Sequence, residues 1–222
     1  PVDGTLGACG VVTSGTLLQV KGRAYNLSEL LGSEVDAARF EGGHYITLYL
    51  APPDYHRIHA PVAGQVRQCM VIPGRLMPVF AEAVAKVDDL FARNERLITY
   101  IDTAAAGKMA VVKVGATLVG RITLAYDPTL WTNQPHGTVR RVHYSPPKCL
   151  DKGQELGTFE LGSSVVLLFE PGQVQPLPPR KPRVRLGEPL ARLCTPPPTR
   201  LGRAAPKARR GPRRQPRGKS TP

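Results

Sequence analysis

The sequence has few cysteines, and none of them stands where a metal site or a redox motif would need it. Cys9, Cys69, Cys149 and Cys194 are far apart, form no CxxC pair and have no partner histidine at metal-ligand spacing. We therefore expect free thiols in a reducing compartment and no metal ion.

Long apolar runs are missing too. No stretch of about 18 apolar residues occurs in the sequence, and no signal peptide is visible. The sequence therefore contains no candidate transmembrane helix. The chain opens on Pro1 instead of Met, within the turn-like sequence Val2-Asp3-Gly4. We expect the natural chain to begin further upstream.

Acidic residues are almost absent from the C-terminal end. From Arg180 onward there are 14 Lys and Arg residues and one acid, Glu188, whereas residues 1–179 hold 16 residues of each sign. The formal charge of +13 thus belongs to the C-terminal end, and no basic groove across the body is indicated. After Cys194 the chain is rich in Pro, Arg, Gly and Ala, which bury too little to offset the entropy of ordering. We predict one domain over residues 1–194 and a disordered Pro/Arg-rich tail over 195–222.

Short β-rich runs separated by Gly and Pro dominate the body of the chain. The predicted strands are residues 45–50, 64–72, 97–102, 109–114, 117–124 and 164–170, with a last strand and turn at 184–190. Helical patterns are limited to residues 28–31, with Ser28 as the cap, 34–40 and 78–91. We predict a mainly β fold, of α+β type with a few short peripheral helices.

Two segments combine reactive side chains with β-rich sequence. In the first, His56 and His59 would point to opposite faces of an extended strand, whereas a tight turn would bring both toward one pocket. In the second, the step Gly162-Ser163 precedes an apolar run, and glycine would allow a strained peptide bond beside the hydroxyl. Taken alone, the residues favour solvent-facing loop histidines and an ordinary turn.

Seven sequence blocks, in order over roughly residues 1–191, together resemble the phosphatidylserine decarboxylase family. They are PVDG at 1–4, QVKGRAYNL at 19–27, YLAPPDYHRIH at 49–59, VIPG at 71–74, LFARNER at 90–96, VGATLVG at 114–120 and LGSS at 161–164. The chain departs from the family after Leu76, where Met77-Pro78-Val79-Phe80 replaces a short polar stretch that ends in Asn.

The resemblance implies a self-cleavage triad of Asp3, His59 and Ser163. In the family the Asp orients the His, and the His takes the proton of the Ser hydroxyl, which attacks the preceding carbonyl, here that of Gly162. Cleavage between Gly162 and Ser163 would give a β chain, 1–162, and an α chain, 163–222, and would turn Ser163 into a covalent pyruvoyl group. The resemblance implies no other cofactor.

The activity that the resemblance implies is decarboxylation of phosphatidylserine to phosphatidylethanolamine and CO2. The pyruvoyl group would bind the serine amine as a Schiff base and accept electrons as CO2 leaves. His56 is the candidate for protonating or binding the substrate, because histidine titrates near neutral pH.

The expected partners are phosphatidylserine in an anionic membrane and, for each self-cleavage chain, the other chain, with a homo-oligomer left open and no specific nucleic acid. The expected location is the cytoplasmic side of the cell membrane, peripherally bound. Two alternatives stay open: a self-processing pyruvoyl decarboxylase of another amino-acid-bearing substrate, and a non-catalytic β domain that binds polyanions.

Overall fold

The structure, a computed structural model, describes residues 1–18, 24–117, 121–160, 163–177 and 181–194. The predicted tail over 195–222 and Gly162 of the predicted cleavage site lie outside these residues.

Within the described residues the chain forms fifteen strands and four short helices, which confirms the predicted mainly β class. The strands are β1 (Gly4–Val11), β2 (Thr16–Leu18), β3 (Ala24–Asn26), β4 (His44–Leu50), β5 (Arg57–His59), β6 (Gly64–Ile72), β7 (Arg96–Thr103), β8 (Gly107–Val114), β9 (Ile122–Leu124), β10 (Arg140–Leu150), β11 (Glu155–Phe159), β12 (Ser163–Phe169), β13 (Val174–Pro176), β14 (Arg183–Val184) and β15 (Ala191–Leu193). The helices are α1 (Leu27–Leu31), α2 (Glu34–Ala38), α3 (Ala81–Val84) and α4 (Leu90–Arg93).

Eight strands form one antiparallel sheet in the order β10-β6-β7-β8-β12-β4-β1-β14. Strand β12 lies inside this sheet, between β4 and β8, and all seven of its residues are buried. A strand that is covered on both faces reads as a continuous apolar run, which is the pattern the sequence shows at this segment.

A smaller sheet of three strands, β5-β11-β9, lies over one face of the large sheet. Tyr126 follows β9 closely, and its hydroxyl contacts the Thr99 hydroxyl of β7 at 2.9 Å. The buried side chains of the small sheet, Ile58, Ile122 and Phe159 among them, join the same core as the large sheet. The small sheet therefore covers the face on which Thr99 stands.

The helices cover the opposite face. Arg96, which pairs with Ile72 on β6, is buried and donates from Nε to the Leu30 carbonyl of α1 at 2.7 Å. Four residues further along β7, the Tyr100 hydroxyl donates to Asp36 of α2 at 3.2 Å. These buried contacts hold the helices to the back of the sheet.

The structure corrects three details of the predicted helices and strands. Asn26, not Ser28, caps α1, because its side-chain oxygen accepts from the amides of Ser28 and Glu29. The predicted helix over 78–91 is two short helices, α3 and α4, with Asp89 in a left-handed conformation at φ 51° before α4. The predicted strand over 117–124 is a strand only at Ile122–Leu124, with 118–120 outside the described residues.

Strand β10 was not predicted, because Pro146 and Pro147 interrupt its sequence. The register with β6 shifts between His143 and Lys148, so the prolines fall in the irregular part of the strand. Strand β10 is also at the edge of the sheet, where a missing N–H costs no ladder hydrogen bond on the outer side.

Candidate active site

Three strand ends meet at one end of the large sheet. Ser163 begins β12 and pairs with Leu50, the last residue of β4, while Thr5 of β1 pairs with Tyr49. Asp3 immediately precedes β1. The sheet therefore brings the backbones of Asp3 and Ser163 within two strand spacings, about 10 Å.

Gly4 allows this close approach of β1 to β4. A Cβ atom at Gly4 would lie 2.5 Å from the Tyr49 carbonyl oxygen, closer than real side chains come. Any other residue would push β1, and with it Asp3, away from the end of β4.

Ser163 is buried, and its hydroxyl has no hydrogen-bond partner among the described residues. The same is true of the next residue, Ser164. A buried hydroxyl without a partner costs about 1–3 kcal/mol. Because Ser164 shares this property, it is the position of Ser163 at the start of β12, directly after Gly162, that makes its hydroxyl the candidate for reaction.

His59 is half-buried on β5 and has both ring nitrogens engaged. Nδ1 lies 2.7 Å from the Gly153 carbonyl oxygen, and Nε2 lies 2.9 Å from the Tyr55 hydroxyl. Because a carbonyl oxygen only accepts, Nδ1 carries the proton, and in the neutral ring Nε2 accepts from Tyr55. The two rings are also stacked, with centroids 5.7 Å apart. In the neutral ring Nε2 therefore carries the lone pair.

The N-terminal segment links Asp3 to both neighbouring elements. The His59 amide donates to the Pro1 carbonyl at 2.8 Å, so residues 1–3 run beside β5. The Asp3 carboxylate accepts from the Leu186 amide at 2.7 Å. Residues 1–3 are therefore held between β5 and the segment after β14.

The three predicted triad residues share one end of the molecule but are not joined by hydrogen bonds. Among the described residues, no hydrogen bond links Asp3 to His59 or His59 to Ser163; the ring nitrogens of His59 contact Gly153 and Tyr55. The roles given to these residues therefore stay predictions.

His56 makes different contacts from those of His59. Its Nε2 lies 3.1 Å from the Pro52 carbonyl oxygen, and its buried Nδ1 has no partner among the described residues. Since Pro52 accepts, Nε2 carries the proton and Nδ1 holds a buried lone pair. Residues Arg57–His59 are extended, so no tight turn lies between the two histidines.

Asp54 and Arg183 form an ion pair beside the site that the sequence did not predict. The Asp54 side chain is fully buried; one oxygen pairs with Arg183 and the other accepts from the Ala51 amide at 2.9 Å. This pair fixes the turn between β4 and β5 to the segment that contains β14. No local pattern links two residues so far apart in sequence.

A second unpredicted feature is Lys113, which is fully buried on β8. Its ammonium donates to the Thr99 hydroxyl at 2.7 Å, and burial lowers its pKa to about 7. Lys113 pairs with Val165, two residues from Ser163, so the two side chains project from the same sheet face. The only sequence signal is one charge inside an apolar strand.

Within the described residues no group of three or more His, Cys, Asp or Glu side chains is placed to hold a metal ion. In the same part of the chain, no helix is long and apolar enough to cross a membrane.

Comparison with known proteins assigns the chain to a family. A family model described as phosphatidylserine decarboxylase matches residues 1–192. The chain belongs to the phosphatidylserine decarboxylase family. The predicted family resemblance is thereby confirmed, and the match ends close to the predicted end of the domain.

Three bacterial relatives show the extent of the similarity. A protein of Anaeromyxobacter sp. (strain K) is 52% identical over 193 residues, 86% of this chain and 68% of that protein. Proteins of Brevibacillus brevis and Myxococcus xanthus are 48% and 51% identical, over 79% and 78% of this chain. All three are named phosphatidylserine decarboxylase proenzyme. The chain spans only 62% and 61% of the length of the latter two.

Proposed function

We propose that this protein is a phosphatidylserine decarboxylase that first cleaves itself between Gly162 and Ser163. The observation that carries the proposal is the buried Ser163 hydroxyl, which has no partner among the described residues and begins a strand beside Leu50 and near Asp3. The names of the relatives, which include the word proenzyme, support a maturation step.

Self-cleavage needs a base for the Ser163 hydroxyl, and His59 is the base that we propose. Its Nδ1–H is held by Gly153, so Nε2 has the lone pair that removes the hydroxyl proton. Nε2 accepts from Tyr55 in this structure, and the Ser163 hydroxyl has to replace Tyr55 there. The Asp3 carboxylate stabilises the imidazolium that results.

Cleavage and formation of the pyruvoyl group require no external oxidant. The Ser163 oxygen attacks the Gly162 carbonyl carbon, and the peptide C–N bond gives way to an ester. Elimination breaks the ester, which leaves a Gly162 carboxylate on one chain and a dehydroalanine on the other. Water replaces the nitrogen of that residue, and ammonia is released.

The residues around Ser163 fit the pyruvoyl group that this sequence of bonds produces. The group is about the size of the serine it replaces, and the site is buried, which protects a reactive ketone from solvent. Such a group supplies an electron sink for loss of CO2 from an amino acid. His56 is the residue that we propose to bind or protonate the substrate: its buried Nδ1 lone pair accepts a hydrogen bond, or takes up a proton that it then delivers.

The two chains made by cleavage would stay together. Strand β12 belongs to the second chain, yet it pairs along its length with β4 and β8 of the first. Because β12 is buried inside the sheet, its removal would expose the core. We propose a heterodimer of residues 1–162 and 163–222 as the mature unit, bound peripherally to the cytoplasmic face of the membrane.

Two matched variants test self-cleavage. Ser163→Ala removes the attacking hydroxyl, whereas Ser164→Ala removes a neighbouring hydroxyl that is equally buried and likewise has no partner among the described residues. Intact-mass measurement should show one chain for Ser163→Ala and two chains for Ser164→Ala and the unchanged protein. A single intact chain in the unchanged protein after long incubation would refute the proposal.

Product analysis tests the substrate. The cleaved protein should convert phosphatidylserine in mixed micelles to phosphatidylethanolamine, with release of CO2. Complete cleavage without this product would favour the alternative, a decarboxylase of another amino-acid-bearing substrate. The departure from the family at Met77-Pro78-Val79-Phe80, where Phe80 is 45% exposed, is the feature that favours this second candidate.

A further inference from the structure

Glu95 is a buried carboxyl to which the steps above give no role. It directly precedes β7, and only 4% of the residue is exposed. Its Oε2 accepts from the Asn133 amide at 2.7 Å, whereas its Oε1 is buried without a hydrogen-bond partner among the described residues. Buried polar atoms are nearly always hydrogen-bonded, so this exception calls for an explanation.

Strand register places Glu95 at the same level of the large sheet as Ser163. The Gly115 amide donates to the Glu95 carbonyl at 2.9 Å, so these two residues lie side by side where β7 begins and β8 ends. On the other side of β8, Ser164 pairs with Val114, and Ser163 therefore lies beside Gly115. Glu95 and Ser163 flank Gly115, with backbones about two strand spacings, 10 Å, apart.

The side chains of Glu95 and Ser163 project from the same face of the sheet. Paired residues of antiparallel strands share a face, and so do alternate residues along one strand. Lys113 pairs with Val165 on one side and with Leu97 on the other. Ser163 lies two residues before Val165, and Glu95 lies two residues before Leu97. Because Oε2 of Glu95 contacts the segment that follows β9, this is the face that the small sheet covers.

Gly115 leaves the space between the two side chains open. A Cβ atom at Gly115 would lie 3.0 Å from Cγ of Glu95, which is tighter than most real Cβ contacts. The Glu95 side chain therefore leans over Gly115 toward β12. The remaining gap to the backbone of residue 163 is about one strand spacing, 5 Å. An atom bonded to the Ser163 oxygen would come within hydrogen-bond reach of the carboxyl.

Burial favours the protonated form of Glu95. It raises the pKa of the carboxyl, against the opposing effect of hydrogen bonds from Thr132 and Asn133. The neighbouring elements carry two cations, Lys113 on β8 and Arg140 on β10, and no ion pair joins either of them to Glu95 within the described residues. Because Oε2 accepts from Asn133, Oε1 is the oxygen that carries the proton in the neutral carboxyl.

We propose that the protonated Glu95 carboxyl donates a hydrogen bond to the oxyanion that forms on the Gly162 carbonyl oxygen when Ser163 attacks. The inference rests on the proposed function, in which His59 and Asp3 act on the hydroxyl and the negative oxygen has no assigned partner. A neutral donor that is fixed in a buried site stabilises such an oxygen. The hydroxyl proton goes to His59, the carbonyl electron pair moves to oxygen, and that pair returns as the peptide C–N bond breaks. Glu95 keeps its proton throughout.

Three variants test this role through the rate of self-cleavage. Glu95→Gln is isosteric and keeps a donor that does not titrate, whereas Glu95→Ala has no donor. Glu160→Gln is the matched control, because it makes the same change at an exposed carboxyl near the cleavage site. At neutral pH, time courses of intact mass should show Glu95→Gln and Glu160→Gln close to the unchanged rate. Glu95→Ala should be about 100-fold slower, the usual effect of removing one oxyanion donor.

The pH dependence separates this role from a structural one. The cleavage rate of Glu95→Gln divided by that of the unchanged protein should rise between about pH 5 and about pH 9, because only the unchanged protein loses the donating proton. Titration of His59 affects both proteins alike and cancels in the ratio. A purely structural Glu95 would give a constant ratio, and a reaction that needs the ionised carboxylate would give a falling one. Either result would overturn the inference.

The outcomes also separate this inference from the proposed function. If the unchanged protein is cleaved and Glu95→Ala is cleaved equally fast, the inference is wrong and the proposed function stands. The same follows if Glu95→Gln is as slow as Glu95→Ala, or if Glu160→Gln shows the same rising ratio. If Glu95→Ala does not fold, as urea denaturation would show, the ratio for the isosteric Glu95→Gln decides alone. If the unchanged protein is never cleaved, the proposed function fails and the inference fails with it.

Discussion

His59 donates its Nδ1–H to the Gly153 carbonyl oxygen across 2.7 Å, and this contact decides which nitrogen of the neutral ring carries the lone pair. The other nitrogen, Nε2, accepts from Tyr55 at 2.9 Å. In the proposed reaction the hydroxyls of Tyr55 and Ser163 compete for the same lone pair. Tyr55 then holds His59 in place before cleavage and has to leave for cleavage to begin.

Removal of the competing hydroxyl should therefore speed self-cleavage. Tyr55→Phe keeps the ring that stacks on His59 and loses one hydrogen bond, which contributes about 1 kcal/mol, so we expect cleavage about fivefold faster. A time course of intact mass measures the rate. Tyr126→Phe, which removes a hydroxyl from its contact with Thr99, is the control. Slower cleavage in Tyr55→Phe would mean that Tyr55 assists the base.

The two histidines should separate into two functions. His59→Ala and Asp3→Ala should stop or strongly slow cleavage, because a triad acts as a unit. His56→Ala should leave cleavage largely intact and lower the rate of decarboxylation. Intact mass and product formation, measured on the same samples, distinguish the two effects. If His56→Ala blocks processing and His59→Ala does not, the assigned roles are reversed.

Loss of the Arg183 side chain should destabilise the fold. Arg183→Leu leaves the buried Asp54 carboxylate without its cation. Loss of a partner from a fully buried pair costs about 3–5 kcal/mol, and because the Arg183 side chain is 58% exposed we expect a smaller loss, about 1–3 kcal/mol. Urea denaturation measures the free energy of unfolding. Arg185→Leu, which changes an exposed neighbour, should have little effect; equal losses in both variants would contradict the prediction.

Lys113 should make stability depend on pH in the alkaline range. Its pKa is about 7 in the fold and near its usual, higher value in the unfolded chain. Between these two values the unfolded chain binds the extra proton, so the free energy of unfolding rises with pH from about 7 to about 10. Lys113→Met should be the more stable protein at pH 7 and should lack this rise. Denaturation at several pH values measures this dependence, with Lys152→Met as the exposed control. If the free energy of unfolding had the same slope against pH in the unchanged protein and in Lys113→Met, the prediction would be wrong.

The basic tail over residues 195–222 should bind membranes and have no part in cleavage. It holds nine Lys and Arg residues and no acid, and each can contribute about 1 kcal/mol near an anionic surface. It also has no aromatic residue that would stack on bases. Deletion of 195–222 should leave the intact-mass time course unchanged and weaken binding to vesicles that contain anionic lipid, an effect that salt reduces. Equal vesicle binding by both proteins at low salt would show that the tail does not bind membranes.

Local sequence was sufficient for the strands that are buried on both faces. Strands β7, β8 and β12 were predicted because each contains a run of apolar, largely β-branched residues between turns. Edge and irregular strands were missed: β1 is rich in glycine, and β10 contains two prolines. Their place in the sheet depends on partners far along the chain, which local composition does not report.

The sequence by itself determined the family and the mainly β class, because ordered motifs and short-range patterns lie in consecutive residues. It also predicts Asp3, His59 and Ser163 as a triad, which stays a prediction. Only the tertiary structure decided which groups contact them. In the structure the two ring nitrogens of His59 contact Gly153 and Tyr55. Arg183 forms an ion pair with Asp54, and Lys113 projects from the same sheet face as Ser163. Apart from the Tyr55 contact, these relationships join residues that are far apart in sequence. They follow from strand register and from the cost of burying a charge or a hydroxyl, which act only once the sheet has formed.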